Sequence, residues 1–316
     1  MIVVVCLNPA LDVTHHVTTV NWAGVNRPTA VHTRPGGKGV NVARTLHALG
    51  AELLLTGLAG GVTGAGIEAA LGRLGVPTAL TPIAAETRRT FTVVDGGGTV
   101  TAFNEPGPEV TEREFAEFRG QYDKALAGAS VVVLSGSLPR GLSAGAYATL
   151  IEMAAAAGVP AVLDTHGEAL LRGAAAGPAI VKPNLEELAS LAGRRLSAAD
   201  GGPDLTAVTA AADKLRIAGA QAVVASMGSA GLLAVTGDGR WLARPAAVTG
   251  NATGAGDAVV AALAHGLVLG RPWGERLRHA AALGSATVAA PVAGEFSDYD
   301  YASALSAVTV HQEEVG

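Results

Sequence analysis

Residues 1–7 read MIVVVCL, an uninterrupted apolar run that is rich in β-branched side chains. A strand without polar alternation is buried on both faces, which is typical of the central strands of a parallel sheet. Apolar residues at helical spacing, as at Val42, Leu46 and Leu49, predict a helix that Gly50 ends. Further apolar runs predict strands at 53–58, 131–134, 161–163, 179–181 and 222–225. The alternation of predicted strands with predicted helices along the chain indicates an α/β fold with a doubly wound, mainly parallel sheet and helices on both faces. Ligands are therefore expected beyond the C-terminal strand ends.

Two pairs of segments interrupt this pattern because they alternate polar and apolar residues. The first pair is 11–17 and 29–33, and the second pair, 90–94 and 99–103, flanks the turn at 95–98. Such strands expose one face to solvent, so we expect a small β-sheet that projects from the main one, with strands contributed by about 11–35 and 88–104. It could act as a lid that excludes water from a site, or be an ordinary surface hairpin. No linker interrupts the sequence, so residues 1–316 are expected to form a single domain.

The composition is that of a folded protein with a large core. Of the 316 residues, 49% are hydrophobic and only 16% are charged, which excludes a disordered chain. The net charge of −5 gives no basic field, so nucleic acid is not expected as a partner. No apolar run reaches the ~20 residues of a membrane span, so no membrane partner is expected either. The single cysteine, Cys6, lies in the first apolar run and indicates a buried residue in a reducing compartment, so we expect a cytoplasmic protein.

A glycine-rich turn lies in the C-terminal third of the chain. Residues 251–257 read NATGAGD and run into the apolar stretch 258–263, so a turn of small residues opens a helix with Asp257 in its first turn. Backbone N–H groups converge at such a turn, and the helix N-terminus adds roughly half a positive charge, which suits the oxygens of a phosphoryl group in transfer. Asp257 could then accept the proton of an attacking hydroxyl. The alternative is that the glycines form a tight turn and Asp257 merely interacts with the helix dipole.

A second glycine cluster, PGGKGVN at 35–41, precedes the helix that ends at Gly50. Its spacing differs from the G-x-x-x-x-G-K-[ST] pattern of nucleotide-binding loops. The backbone can nevertheless approach a ligand closely here, and Lys38 and Asn41 could hydrogen-bond sugar hydroxyls or a phosphate. The alternative is a helix N-terminus that needs conformational freedom.

Taken together, the two glycine clusters resemble the paired signatures of the phosphofructokinase B (PfkB) family in the ribokinase superfamily of sugar kinases. Further motifs resemble the branch that contains 1-phosphofructokinase and tagatose-6-phosphate kinase: LNPALD at 7–12, FNEPGPE at 103–109, LSGSLP at 134–139, LDT at 163–165 and KPNLEE at 182–187. The resemblance covers nearly the whole chain and implies a ribokinase-like fold. It also implies transfer of the γ-phosphoryl of ATP, with Mg²⁺, to a hydroxyl of a ketohexose phosphate. Fructose 1-phosphate is the first candidate, with fructose 1,6-bisphosphate as product.

The resemblance also implies roles for individual residues. Asp257 is similar to the family's catalytic base, the amides of Ala255, Gly256 and Asp257 match its anion hole, and Gly254 precedes them among the catalytic positions. A carboxylate with a low pKa suffices there because a loose phosphoryl-transfer transition state releases the proton late. On the sugar side the matching positions are Asp12, Gly37, Lys38, Asn41, Arg88 and Ser137, of which Arg88 resembles the arginine that holds the substrate's phosphate. On the ATP side they are Lys182, Asn184, Ser226, Gly228, Gly231 and Gly254. Asn184, Glu187 and Asp164 resemble the residues that organise Mg²⁺, partly through water.

Simpler interpretations of these residues remain open. Asn184 and Glu187 have the spacing of a capping box for a helix at 185–191, whatever the function. Asp12 could be a solvated loop carboxylate, and 226–231 could be an ordinary strand connection with glycine turns.

Several positions depart from the branch and leave the substrate open. Ala252, Thr253 and Ala258 replace the residues usual around the glycine turn, and His166 and Arg140 replace a serine and a proline. Tagatose 6-phosphate and fructose 6-phosphate are therefore alternatives to fructose 1-phosphate, followed by an unphosphorylated sugar or a nucleoside. An ATP-binding regulator without turnover is a further alternative. Unpaired edges of the small sheet would allow a homodimer.

Overall fold

The structure, a computed structural model, describes residues 1–198, 201–290, 292 and 294–313. The strands are β1 (Ile2–Cys6), β2 (Ala10–His16), β3 (Ala30–Gly36), β4 (Leu53–Gly60), β5 (Thr78–Ile83), β6 (Arg89–Val94), β7 (Val100–Asn104), β8 (Val131–Ser135), β9 (Ala161–Asp164), β10 (Ile180–Val181), β11 (Val223–Ser226), β12 (Leu232–Val235), β13 (Arg240–Arg244) and β14 (Thr309–Glu313). The helices are α1 (Lys38–Ala48), α2 (Gly61–Arg73), α3 (Glu112–Leu126), α4 (Ala146–Ala156), α5 (Gly167–Ala175), α6 (Leu185–Ala192), α7 (Leu205–Ala218), α8 (Ala255–Val268), α9 (Trp273–Ala289) and α10 (Asp298–Ala307). Among these described helices, none combines the length and the apolar character that crossing a bilayer requires.

The larger sheet has, within the described ranges, ten strands in the order β14-β13-β12-β11-β10-β9-β8-β1-β4-β5. Neighbouring strands are parallel from β11 to β5, whereas β12, β13 and β14 form an antiparallel edge. β1 lies between β8 and β4 and is fully buried, as its apolar sequence predicts. The α/β fold and the strands predicted from apolar runs are confirmed. β5 and the antiparallel edge are absent from the sequence-based prediction.

Helices cover both faces of this sheet because successive residues of a strand point to opposite sides. Val3 and Val5 belong to one core cluster, together with apolar residues of α3, α4, α5, α6 and α7. Ile2 and Val4 belong to the other cluster, together with residues of α1, α2, α8 and α9. These two clusters are the two layers that the doubly wound arrangement requires.

The small sheet has the order β3-β2-β6-β7 within the described ranges. β2 follows the C-terminal end of β1, and β6 follows the C-terminal end of β5. The hairpins β2–β3 and β6–β7 therefore lie beyond the C-terminal strand ends of the larger sheet, where ligands are expected. Asp95 stabilises the turn between β6 and β7, because its carboxylate accepts the backbone N–H groups of Gly97 and Thr99. The projecting sheet is confirmed. Its action as a lid stays a prediction, as does a single domain over 1–316.

Candidate active site

The glycine turn before α8 closes tightly. Gly254 has a φ of 85°, in the left-handed region that favours glycine. A Cβ at this position would lie 2.6 Å from Cα of Gly294, so a larger residue has no room. Glycine is therefore required here both by backbone conformation and by close approach.

The start of α8 presents backbone donors. The first N–H groups of an α-helix have no acceptor within the helix. At Ala255 the N–H donates instead to the carbonyl oxygen of Ala252, at 3.2 Å. Within the described ranges, the N–H groups of Gly256 and Asp257 have no backbone acceptor, so they are available to an anion, and the helix dipole adds to their attraction.

Asp257 is buried in the first turn of α8, with 7% of its surface exposed. Its Oδ2 accepts a hydrogen bond from Nδ2 of Asn41, at 2.8 Å, so α1 and α8 meet at this carboxylate. Burial raises the pKa of Asp257 to about 7; the charge of Asp164 adds to the rise, and the bond from Asn41 opposes it. The expectation of a low pKa is therefore wrong. A base whose pKa lies near neutrality is better matched to proton transfer at neutral pH.

A cluster of two lysines and two carboxylates lies beside Asp257. Asp164, buried at the end of β9, accepts a hydrogen bond from Nζ of Lys38 at 3.3 Å and lies 3.4 Å from Nζ of Lys182. Nζ of Lys38 is also 3.9 Å from Oε1 of Glu187. Burial alone would raise the pKa of Asp164, but Lys182 and Lys38 hold it below its usual range. Lys38, which the resemblance places on the sugar side, thus reaches toward the residues predicted for Mg²⁺ and nucleotide.

Asn184 and Glu187 form the predicted capping box at the start of α6. Oδ1 of Asn184 accepts the N–H of Glu187, and Oε2 of Glu187 accepts the N–H of Asn184, each at 2.8 Å. The simpler interpretation of this spacing is confirmed, and Glu187 still faces Lys38 through its other oxygen. Across the part of the chain that the structure describes, no group of three or more His, Cys, Asp or Glu side chains gathers as a metal site.

A cleft of about 1040 Å³ opens beside the N-terminus of α8. Every position predicted for ATP lines it: Lys182, Asn184, Ser226, Gly228, Gly231 and Gly254. Lys38, Asp164 and Asp257 line the same cleft. Small residues of α9, Ala281 and Gly284, also line it. Sequence reasoning missed these two, because only the packing of α9 against α8 brings them to the cleft.

Three of the six residues predicted for the sugar meet around Asn8, in the loop between β1 and β2. The carbonyl oxygen of Asn8 accepts from the Arg88 guanidinium, at 3.3 and 3.4 Å, and its side-chain amide donates to the Ser137 hydroxyl at 3.0 Å. A Cβ at Gly37 would lie 3.4 Å from the same carbonyl oxygen. Asn8 therefore holds three predicted sugar positions together. Its one signal in the sequence is its place in the motif at 7–12.

Asp12 lies on β2, the strand of the small sheet that follows Asn8. Its Oδ1 accepts a hydrogen bond from the Thr90 hydroxyl at 2.6 Å. Burial raises the pKa of Asp12, while the Thr90 bond and nearby guanidinium groups, first that of Arg88, oppose the rise. Because Asp12 sits in a strand and is partly buried, its interpretation as a solvated loop residue is wrong.

Comparison with known proteins identifies the family of this chain. The sequence model of the pfkB family carbohydrate kinases matches residues 7–298. The chain belongs to this family. The structure of phosphofructokinase-2 from Escherichia coli in complex with fructose-6-phosphate is 32% identical, with a TM-score of 0.87 over 96% of this chain and 98% of that chain. The tetrameric inhibited form of the same enzyme gives a TM-score of 0.88 at the same identity and coverage. A Thermotoga maritima protein described as a possible 1-phosphofructokinase is 26% identical, with a TM-score of 0.86 over 99% of both chains.

Membership of the pfkB family makes this protein an ATP-dependent carbohydrate kinase, and its structural neighbours make it phosphofructokinase-like. The predictions of family, fold and enzyme class are confirmed. The roles of individual residues stay predictions. In the structure, Asn41, one of the positions predicted for sugar, bonds the Asp257 carboxylate, which lines the same cleft as the positions predicted for ATP.

For this pfkB kinase we expect activity to fall as the pH drops below about 7. A base accepts a proton only when it is ionised, and a raised pKa leaves Asp257 increasingly protonated below that pH. On the acid side, kcat/KM should fall about tenfold per pH unit. A pH profile of kcat/KM, measured at constant ionic strength, checks this. A profile that stays flat to about pH 5 would contradict a buried base with a raised pKa.

Proposed function

We propose that the protein is a phosphofructokinase that transfers the γ-phosphoryl of ATP to a hydroxyl of fructose 1-phosphate and forms fructose 1,6-bisphosphate. The observation that carries this proposal is the position of Asp257. It lines the ATP cleft and is bonded to Asn41, which belongs to the glycine cluster predicted to hold the sugar. A sugar held by Asn41 therefore presents its hydroxyl to the same carboxylate that faces the nucleotide.

The charge of Arg88 supports a phosphorylated sugar. Arg34 and Arg44 are both paired with Glu295, whereas Arg88 forms no ion pair in the described residues and donates to the carbonyl oxygen of Asn8. A neutral sugar would not use the positive charge of Arg88, whereas a phosphate group matches it and suits the fork of a guanidinium.

The choice among fructose phosphates rests on motifs. Fructose 1-phosphate and fructose 6-phosphate carry their phosphate at opposite ends of the sugar, and phosphorylation of the other end gives the same bisphosphate. One structural neighbour holds fructose-6-phosphate, and another is described as a possible 1-phosphofructokinase. The motifs at 7–12 and 103–109 resemble the 1-phosphofructokinase branch and favour fructose 1-phosphate.

The proposed reaction divides the work among neighbouring groups. Asp257, whose carboxylate Asn41 orients, accepts the proton of the attacking hydroxyl as that oxygen bonds to the γ-phosphorus and ADP leaves. The N–H groups of Gly256 and Asp257 stabilise the charge on the transferring phosphoryl. Lys38 adds a positive charge from the cleft. Positioning and charge stabilisation dominate because the phosphoryl-transfer transition state is loose.

Mg²⁺ is part of the proposal. Oxygens of Asp164 and Glu187 both face Nζ of Lys38, so these two carboxylates converge on a place where a positive charge is stabilised. Carboxylate oxygens with room for water suit Mg²⁺, and Asn184 adds an amide oxygen. These residues would hold the ion mainly through water. When bound, Mg²⁺ neutralises charge on the phosphate oxygens.

Replacement of Arg88 by alanine is expected to raise the KM for fructose 1-phosphate by roughly 10–100-fold, because a forked contact to the phosphate is lost. The KM for ATP should change little. Arg89→Ala is the matched control, since Arg89 is half-exposed and pairs with Glu105 on the small sheet. Steady-state kinetics of both variants measure the effect, and an unchanged KM in Arg88→Ala would remove Arg88 from the phosphate site.

A substrate panel tests the proposed function. The protein is given ATP and Mg²⁺ with fructose 1-phosphate, fructose 6-phosphate, tagatose 6-phosphate, fructose, ribose or adenosine; ADP release and product NMR are measured. We expect the highest kcat/KM with fructose 1-phosphate. Faster turnover of another sugar phosphate would correct the substrate, and equal turnover of the unphosphorylated compounds would reject the substrate class. Absence of turnover with every compound would favour an ATP-binding regulator.

We also propose a homodimer through the small sheet. In the described residues its edge strands are β3 and β7, whose Val31 and Phe103 are 53% and 52% exposed. Exposed apolar residues on open edges favour association with a second copy. Light scattering tests the oligomeric state, and a monomer at working concentration would contradict the dimer.

The cytoplasmic location stays a prediction, which cell fractionation tests.

A further inference from the structure

Glu295 connects two elements near the sugar side. Its Oε1 lies 3.2 Å from NH2 of Arg44, on α1, and 3.5 Å from NH1 of Arg34, on β3. The N–H of Gly294 donates to the carbonyl oxygen of Thr253 at 3.1 Å, so the segment also rests against the glycine turn. Neither arginine nor Glu295 has a role in the reaction proposed above.

Arg34 has another partner within reach. In the antiparallel pairing of β2 with β3, Arg34 stands directly opposite Asp12. Directly opposite side chains share one face of a sheet with Cβ atoms about 4.5–5.5 Å apart, so opposite charges in such a pair attract each other. In the described residues Asp12 nevertheless forms no ion pair with Arg34 or Arg44. Its Oδ1 accepts from Thr90, and both guanidinium groups lie at Glu295.

We propose that Glu295 is a positioning residue for the sugar site: it holds Arg34 and Arg44 away from Asp12 and so keeps that carboxylate available for sugar hydroxyls. The inference rests on the proposed function. A carboxylate engaged by guanidinium groups has fewer lone pairs for substrate hydroxyls. Arg44 is only 15% exposed, so without Glu295 it has little water to replace its partner and turns to Asp12, the other carboxylate whose charge acts on it.

Glu295→Gln tests this proposal, because it removes the charge and keeps the shape. The KM for fructose 1-phosphate is expected to rise roughly 5–30-fold, with the KM for ATP within about twofold of the original value. Arg34→Gln alone should leave the KM for the sugar nearly unchanged, because it removes a competitor for Asp12. The triple variant R34Q/R44Q/E295Q, which removes both competitors for Asp12, should recover much of the loss caused by Glu295→Gln.

The matched control is Glu117→Gln. Glu117 is 50% exposed, close to the 49% of Glu295, and pairs with Arg113 on α3 at 3.0 Å. This control should leave both KM values unchanged. Three results would overturn the proposal: an unchanged sugar KM in Glu295→Gln, a triple variant as impaired as Glu295→Gln, or an equal defect in Arg34→Gln, which would make the ion pairs a simple structural tether.

A crystal structure of Glu295→Gln gives a readout that is independent of turnover. We expect a guanidinium nitrogen of Arg34 or Arg44 within about 3 Å of an Asp12 oxygen. Guanidinium groups that stay beside residue 295 would contradict the proposal even if the kinetics changed. Failure of the original protein to phosphorylate any sugar phosphate would instead refute the proposed function and leave this structural test intact.

Discussion

Replacement of Asp257 by asparagine is expected to lower kcat by roughly 10²–10⁴-fold while ATP binding persists. Asparagine keeps the shape of the side chain, but its amide cannot accept the proton of the attacking hydroxyl. The N–H groups at the start of α8 and the charge of Lys38 remain, so part of the stabilisation of the transition state survives. Coupled measurement of ADP release gives kcat, and calorimetric titration gives the affinity for ATP.

Stability distinguishes this loss from misfolding. Burial raises the pKa of Asp257 to about 7, so above that pH the ionised carboxylate costs folding free energy, and its neutral replacement should not lower the melting temperature. Asp123→Asn, an exposed position on α3, is the control and should retain full activity. Near-normal turnover in a folded Asp257→Asn would remove Asp257 from the mechanism.

The buried strands are predictable from sequence because burial on both faces leaves only apolar residues, as in β1. The strands of the small sheet are predictable because their polar and apolar residues alternate, as expected when one face is exposed to solvent. β5 escapes prediction because it is an edge strand that contains Pro82, which argues against a strand in sequence. The antiparallel pair β12 and β13 is also missed. Its signal is the turn sequence TGDG at 236–239 between two strand-like runs.

Residue types at the site are also predictable, but their contacts are not. Asn41 and Asp257 lie 216 positions apart, and only the packing of α1 against α8 joins them. The raised pKa of Asp257 follows from that burial, which no local pattern encodes. Glu295 is positioned by contacts with α1 and β3 and by the bond between its neighbour and the glycine turn. These elements are far apart in the sequence, so no sequence motif marks Glu295.

Replacement of Lys38 by methionine is expected to lower kcat by roughly 10²–10³-fold with little change in the KM for fructose 1-phosphate. Lys38 lines the cleft predicted for ATP, and its Nζ faces Asp164 and Glu187 at 3.3 and 3.9 Å, so we expect its charge to act on the transferring phosphoryl more than on the sugar. Asp164 keeps Lys182 at 3.4 Å, so the buried carboxylate is not left without a cation and the fold should persist. Lys124→Met, at an exposed position, is the control. The family resemblance places Lys38 on the sugar, which predicts the opposite result, a raised KM with a nearly unchanged kcat; steady-state kinetics with the sugar phosphate and ATP varied separately decide between the two.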